Sequence, residues 1–318
     1  MSSPGYALFE AGKKFVQCQG IYHAGTAILL ALVPLNAVMT YVLVRHPTIG
    51  IGFFGAAVSV AISNWLMPLS LFLYVRFING YQCWSGFSKD GFRDWGPMLR
   101  LAVPGVVMIE AEFLAFELLT LFASYFGTQA LAAQAVLATL SSLLYQVPFA
   151  IGIASCMRVG HHIGAGFPQN AKISSKAALT IGTVFGLLNG VVLTLVKDKI
   201  GYCFTDDIGV IKHVGRVLPV LALFQVADVL ASVSGGILRG QGRQYISSYI
   251  QTPAYYAVAM PVSLSTAFLL KWEVVGLWVG VALALVIVAG LQIVVVYMTK
   301  WNQVVEDAYS RTVDVNVE

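Results

Sequence analysis

Long apolar stretches separated by short polar breaks dominate this chain. Eight of them reach the roughly 20 residues that a helix needs to cross a bilayer. They lie near 20–44, 52–77, 101–125, 131–156, 173–196, 216–238, 249–270 and 275–299. The breaks have chemical causes. His46-Pro47 ends the first stretch, because the residue before a proline is pushed out of the helical region. Asn79-Gly80, Lys89-Asp90 and Arg93-Asp94 mark the longest loop, and Thr205-Asp206-Asp207 reads as an N-cap before the sixth crossing. An even number of crossings puts both termini on one side.

Composition agrees with this pattern. The 318 residues are 58% apolar and only 11% charged, with a mean hydropathy of +0.78. Soluble domains use roughly 25% charged residues, so two water-facing domains are excluded. A disordered chain is excluded for the opposite reason, since it needs low hydrophobicity and high net charge. The 19 Lys and Arg against 15 Asp and Glu are too mild and too scattered an excess for nucleic-acid binding. The class that remains is an all-α polytopic membrane protein.

Placing the N-terminus in the cytoplasm leaves thirteen lysines and arginines inside and six outside, the bias that sets orientation in membranes. Four of the six fall between the fifth and sixth crossings, a local exception. Cys18, Cys83, Cys156 and Cys203 are far apart, without a CxxC pair, and read as buried free thiols. Met1–Gly20 holds Glu10, Lys13 and Lys14 and no apolar block, so it is not a cleavable signal peptide.

A weak internal repeat is visible. Gln19-Gly20 precedes the first crossing and Gln241-Gly242 the seventh, 222 residues later. Gly52-Phe53-Phe54-Gly55 opens the second and Gly276-Leu277-Trp278-Val279-Gly280 the eighth, 224 residues later. Near-equal offsets suggest a six-helix unit whose first four helices have no partner upstream. Coincidence is the alternative, because glycine-rich helix starts are common in membranes.

The third crossing carries Glu110, Glu112 and Glu117. An acid at a membrane helix centre costs about 2.5–3.5 kcal/mol, so three cost on the order of 8–10 kcal/mol. Such groups must face a watery cavity, pair, or take up protons. Glu110 and Glu117 are seven residues apart and share a face, whereas Glu112 points about 140° away from Glu117. Asp228 is a fourth intramembrane acid, and no lysine or arginine lies deep in another crossing to neutralise these four. A cavity lined by carboxylates without fixed cations attracts protons or positively charged organic molecules. The candidate substrate- and proton-binding set is therefore Glu112, Glu117 and Asp228, with Gln134 and Glu110 ranked lower.

Gln134, Asn36, Asn64 and Asn189 suit hydrogen bonding between helices, and His23 suits an interface. Pro34, Pro148, Pro219 and Pro261 are expected to kink their helices. Tyr255 and Tyr256 read as packing aromatics. HExxH, GxSxG and Walker motifs are absent, so the chain is not expected to be an enzyme, and transport would draw on an ion gradient.

At this point the residues carry a resemblance. Arg158-Val159-Gly160-His161-His162-Ile163-Gly164-Ala165-Gly166, with Ala171-Lys172 beyond, resembles the R-V-G-N-x-L-G-A-G signature of the multidrug and toxic compound extrusion (MATE) family. Leu238-Arg239-Gly240-Gln241-Gly242-Arg243-Gln244 is similar to its second signature. Pro34-Leu35-Asn36-Ala37 and Tyr255-Tyr256 with Pro261 match further positions, and the whole reads closest to eukaryotic, fungal members. His161-His162 stand where the family has Asn-Ala, and Ala130 where some relatives have an acid.

The resemblance implies a twelve-helix fold of two six-helix lobes. On it, residues 1–100 end the first lobe and include a cytoplasmic interlobe loop, 101–300 form the complete second lobe, and 301–318 a cytoplasmic tail. The family's E-x-x-x-x-E motif falls on Glu112 and Glu117, and an acid of the second lobe's fourth helix falls on Asp228. Implied too is alternating-access exchange of organic cations or xenobiotics for protons or sodium, with no other cofactor. The expected partners are small cationic substrates and membrane lipids, with no nucleic acid, in the plasma or vacuolar membrane. Two other readings stay open. One is an N-terminally truncated fragment or subunit that needs the missing four helices. The other is a lipid flippase, which would be expected to show basic residues in its cavity.

Overall fold

A computed structural model describes residues 3–46, 50–84, 86 and 95–315, with the side chains of Pro97, Leu101 and 311–315 excepted. Pro47 and the loop markers Lys89, Asp90, Arg93 and Asp94 lie outside the described residues. The described secondary structure is helical throughout, and the chain divides into two compact units, 1–93 and 94–318.

The smaller unit holds α1 (Ser3–Cys18), α2 (His23–Arg45) and α3 (Phe53–Phe77). α1 seats Phe9 and Val16 in a core with Ile28, Leu32, Leu71 and Val75. Gly5 permits close approach, since a Cβ there would meet the Asn64 carbonyl oxygen at 2.5 Å. α2 and α3 are joined by polar contacts inside the membrane layer. Asn36 Nδ2 donates to Ser63 Oγ at 2.8 Å, and the Thr40 and Ser59 hydroxyls pair at 2.7 Å. His23 Nε2 meets the Tyr74 hydroxyl at 3.0 Å near the start of α2.

The larger unit holds α4 (Trp95–Ala123), α5 (Thr128–Gly164), α6 (Pro168–Val196), α7 (Ile208–Gly240), α8 (Gln244–Pro253), α9 (Met260–Leu264), α10 (Glu273–Met298) and α11 (Trp301–Val315). α7 is its central helix, with buried residues along its whole length from Val210 to Leu238. The acidic triplet before it behaves as its sequence indicates: Asp207 is the N-cap, its carboxylate accepting from the Gly209 and Val210 N–H groups.

Small residues let α5 lie against α7. A Cβ on Gly236 would collide with the Gly152 carbonyl, and one on Gly240 would meet the Cys156 carbonyl oxygen at 2.5 Å. The four-residue spacing Gly236–Gly240 on α7, answered by Gly152, Cys156 and Gly160 on α5, is the small-xxx-small pattern of close membrane helix pairs.

Among the described residues, six helices are long and apolar enough to cross a membrane: α2, α3, α5, α6, α7 and α10. The other two expected crossings are helical but atypical. α4 is diluted by Arg100 and its three glutamates. The stretch from Gln244 to Leu269 is broken, because π-helical turns at Ala254–Ala259 and Ser265–Leu269 flank α9. Pro261, just inside α9, accounts for the first. Its ring lacks an N–H and clashes with the carbonyl four residues back, and the wider π turn relieves both.

One expectation is corrected. The four cysteines are free, as read, but Cys18, Cys83 and Cys203 are exposed and Cys156 is only half-buried. The three exposed thiols sit at helix ends and in short connecting turns, where the core does not reach.

Candidate functional site: an acidic pocket in the larger unit

Glu112 of α4 and Asp228 of α7 lie within electrostatic range of each other. Asp228 is 3% exposed and Glu112 is half-buried. The two carboxylates act on each other electrostatically, and both act on the hydroxyls of Tyr145 of α5 and Tyr255 of the first π turn. Tyr145 pairs with Ser232, which lies one helical turn beyond Asp228 on the same face of α7 and also donates to the Pro148 carbonyl at 3.3 Å. The cluster is thus drawn from α4, α5, α7 and a π-helical segment, within one unit. π turns inside helices recur at functional sites.

Glu110 and Glu117 lie elsewhere. Both are exposed on α4, on the face away from Glu112, in keeping with the helical angle between them. Neither takes part in the interactions that join Glu112 to Asp228. Gln134 is fully buried and structural in its contacts. Its Oε1 accepts from the Trp278 indole N–H at 2.8 Å, and its Nε2 faces Thr120 Oγ1 at 3.5 Å.

No ion pair joins a lysine or arginine to Glu110, Glu112, Glu117 or Asp228 among the described residues. Arg239, at the end of α7, acts on Glu112 only through space. Two neighbouring acids removed from water repel unless a proton or another cation neutralises them. Several neighbouring polar atoms are also buried without a protein partner: the Tyr255 hydroxyl and both side-chain polar atoms of Gln225, one turn before Asp228. Native interiors rarely leave such groups unpaired, which sets these three atoms apart from the packing around them. Among the described residues, no three His, Cys, Asp or Glu side chains converge as a metal cluster would require.

Sequence reasoning passed over Tyr145, Ser232 and Gln225. Ser232 and Gln225 were within reach of it, being four residues after and three before Asp228. Tyr145 had no such signal, because a tyrosine in an apolar helix reads as packing.

Helices long and apolar enough to cross a membrane, with acids buried between them, define a polytopic membrane protein, and comparison with known sequences makes the class specific. Residues 104–265 match the MatE family model. The chain belongs to the MATE family. It is 42% identical over 306 residues to an uncharacterized transporter of Schizosaccharomyces pombe, covering 96% of this chain and 57% of that protein. It is 34% identical to multidrug and toxin extrusion protein 2 of Mus musculus, covering 97% and 54%. Its fold superimposes on the crystal structure of the eukaryotic MATE transporter AtDTX14 with a TM-score of 0.91 at 28% identity, covering 96% of this chain and 69% of that one. The chain therefore spans about half the length of the curated relatives it matches. It is a multi-pass membrane protein of a transporter family, and not an enzyme.

Proposed function

We propose that the protein exports cationic organic molecules in exchange for protons or sodium. The observation that carries this reading is that Glu112 and Asp228 lie within electrostatic range of each other, with no lysine or arginine ion-paired to either among the described residues. The two acids together favour one positive guest at a time. A proton or sodium ion that neutralises them removes the attraction for an organic cation, and the cation in turn displaces the ion. Exchange follows if each guest has a different affinity for inward- and outward-open forms, since a ligand shifts such an equilibrium only by that difference. The name of the mouse relative, a multidrug and toxin extrusion protein, supports the same substrate class. The expected location is the plasma or vacuolar membrane.

The roles of Glu112, Asp228 and Glu117 are unequal on this reading. Glu112 and Asp228 hold the exchanged cation, while Glu117, exposed on another face of α4, is where the family motif leads one to look for a second contact with substrate. The ratio of lengths favours one further reading, in which transport requires helices equivalent to those the relatives carry beyond the matched part.

Reconstituted vesicles with a proton jump and a panel of fluorescent organic cations test both. Inward-directed acidification should accelerate efflux from vesicles bearing the active protein. Glu112→Gln and Asp228→Asn should each abolish that acceleration, because the charge that binds and releases the cation is gone. Unchanged efflux in both variants would refute the carboxylate mechanism. Efflux that appears only when further helices are supplied with the chain would favour the second reading.

A further inference from the structure

We propose that a file of buried hydroxyls and amides between α7, α8 and α10, completed by bound water, carries protons between Asp228 and the α7–α8 turn. This route rests on the reading of Asp228 as a cation-binding acid and specifies the cation as a proton. Asp228 is 3% exposed and has no opening of its own to water. The titratable groups around it are Glu112 of α4, Tyr145 of α5 and Tyr255 beyond α8, with Arg239 acting on Glu112 and Tyr145. The helices packed on α7 from the other sides add none at that depth. α6 carries titratable side chains only early in its length, Lys172 and Lys176, and α10 only at its ends, Glu273 and Tyr297.

Helix geometry lays out the file. α8 follows α7 after a short turn, and Ser247, Gln251 and Tyr255 succeed one another at four-residue intervals on one face of α8 and the π turn that continues it. Ser247 stands beside Gly235 of α7, Tyr255 within electrostatic range of Asp228, and Gln251 one interval from each. An interval rises about 6 Å, a span that one water bridges with a hydrogen bond of about 2.8 Å on either side. The polar atoms along the way need such partners. The Tyr255 hydroxyl, Thr252 Oγ1, Gln251 Oε1 and both amide atoms of Gln241 in the turn are buried without a protein partner among the described residues. Tyr255, Gln251 and Gln241 are each more than nine-tenths buried, and ordered water is what ordinarily satisfies such groups. Midway, Ser234 Oγ donates to Gln292 Oε1 at 2.7 Å and Gln292 Nε2 donates to Ser247 Oγ at 3.0 Å. Ser247 thus accepts one hydrogen bond and keeps its own proton to pass on. Gly235 supplies the room. A Cβ there would stand 3.7 Å from both Gln292 Oε1 and Ser247 Oγ, with no closer contact to a neighbouring helix, so the space takes a group of methyl size between two polar atoms. Each water or hydroxyl in the file accepts a proton from one side and gives one to the other. One proton leaves the Asp228 carboxyl as another emerges at the turn, and the amides hold the waters in line.

Gly235→Ala tests the route, because its methyl group fills the space between Ser247 and Gln292 at ordinary contact distance. The purified chain in detergent is taken through a rapid pH jump, and time-resolved infrared spectroscopy follows the carboxylic-acid C=O band. The part of the band lost in Asp228→Asn belongs to Asp228. A route changes how fast equilibrium is reached and not where it lies. Gly235→Ala should therefore slow the Asp228 signal about fivefold or more, the weight of one hydrogen bond in the barrier, with its final amplitude and its midpoint pH unchanged. Gln251→Met, which keeps the length of the side chain and removes its amide, should slow the signal likewise. Gly290→Ala, at an exposed position of α10 with open space around it, should leave the rate alone. An unchanged rate in both Gly235→Ala and Gln251→Met would overturn the route and leave Asp228 a proton site reached from elsewhere. A slowed signal with a shifted midpoint would also overturn it, since that marks an altered acid and not a blocked path. A band that ignores pH in the unaltered chain would refute the reading of Asp228 itself, and the route with it. None of these outcomes requires the chain to transport a substrate.

Discussion

The Trp278 indole N–H is fully buried in α10, and its acceptor is Gln134 Oε1 at 2.8 Å, across from α5. Removing the amide as Gln134→Leu leaves that donor unpaired, at about 1–3 kcal/mol. Removing both partners should cost much less than the two single changes added together, because no orphaned donor remains. Thermal unfolding in detergent of Gln134→Leu, Trp278→Phe and the pair would show this coupling, and strict additivity would mean the contact is not formed. At this scale the acids of the pocket were the legible residues. Their insertion cost sets them apart from everything around them, and the 140° turn from Glu117 to Glu112 separates an exposed acid from a half-buried one. Tyr145 and Tyr255 were not legible, because their hydroxyls acquire meaning only beside carboxylates that the chain brings from α4 and α7. Ranking Gln134 with the acids rested on polarity alone. Its bond to Trp278, 144 residues away, is a packing fact.

Between elements, glycine governs how closely α5 and α7 can approach. Gly236→Val would push a side chain into the Gly152 backbone, which cannot retreat as a flexible side chain would. The expected loss is about 1–3 kcal/mol, as for overpacking generally. Gly290→Ala on α10, where an added Cβ meets nothing within 4 Å, should be neutral or slightly stabilising. Melting midpoints of the two variants beside the unaltered chain test the contrast, and equal loss at both positions would contradict the close α5–α7 packing. Spans such as α2, α6 and α10 were readable because hydropathy summed over 20 residues is a strong signal that tertiary contacts do not override. The π turns around α9 were not. Pro261 announces a disturbance, but whether a helix answers by kinking or by widening depends on its neighbours. Here Gly276 and Gly280 of α10 come against Ala267 and Ser263, Ser263 Oγ donates to the Leu277 carbonyl at 2.8 Å, and Thr266 Oγ1 donates to the Gly276 carbonyl at 2.8 Å. Such contacts fasten the broken segment to α10 through its side-chain hydroxyls and the α10 carbonyls.

For the molecule as a whole, the direction of insertion decides which face of the membrane each end of a helix meets. The charge count puts thirteen basic residues in the cytoplasm and six outside, with the stretch that includes Lys197, Lys199, Lys212 and Arg216 as the exception. The cysteines, misread as buried, turn out to be natural reporters of this topology. Cys18 precedes α2 and Cys83 follows α3, so on that orientation both are expected on the cytoplasmic side, whereas Cys203, between α6 and α7, is expected on the other. A membrane-impermeant maleimide applied to the cytosolic face of sealed membranes should label Cys18 and Cys83 within minutes, and should reach Cys203 only after permeabilisation. Replacing one cysteine at a time assigns each band. Labelling of Cys203 together with Cys18 from the same face would mean that a crossing between them is missing or re-entrant. The broken segment around α9 cannot be the cause, since it follows all three reporters. The diluted helix α4 would then be the crossing in question, and its three glutamates would lie at the membrane surface instead of within it. The proposed cation site would lose the apolar surroundings on which it rests.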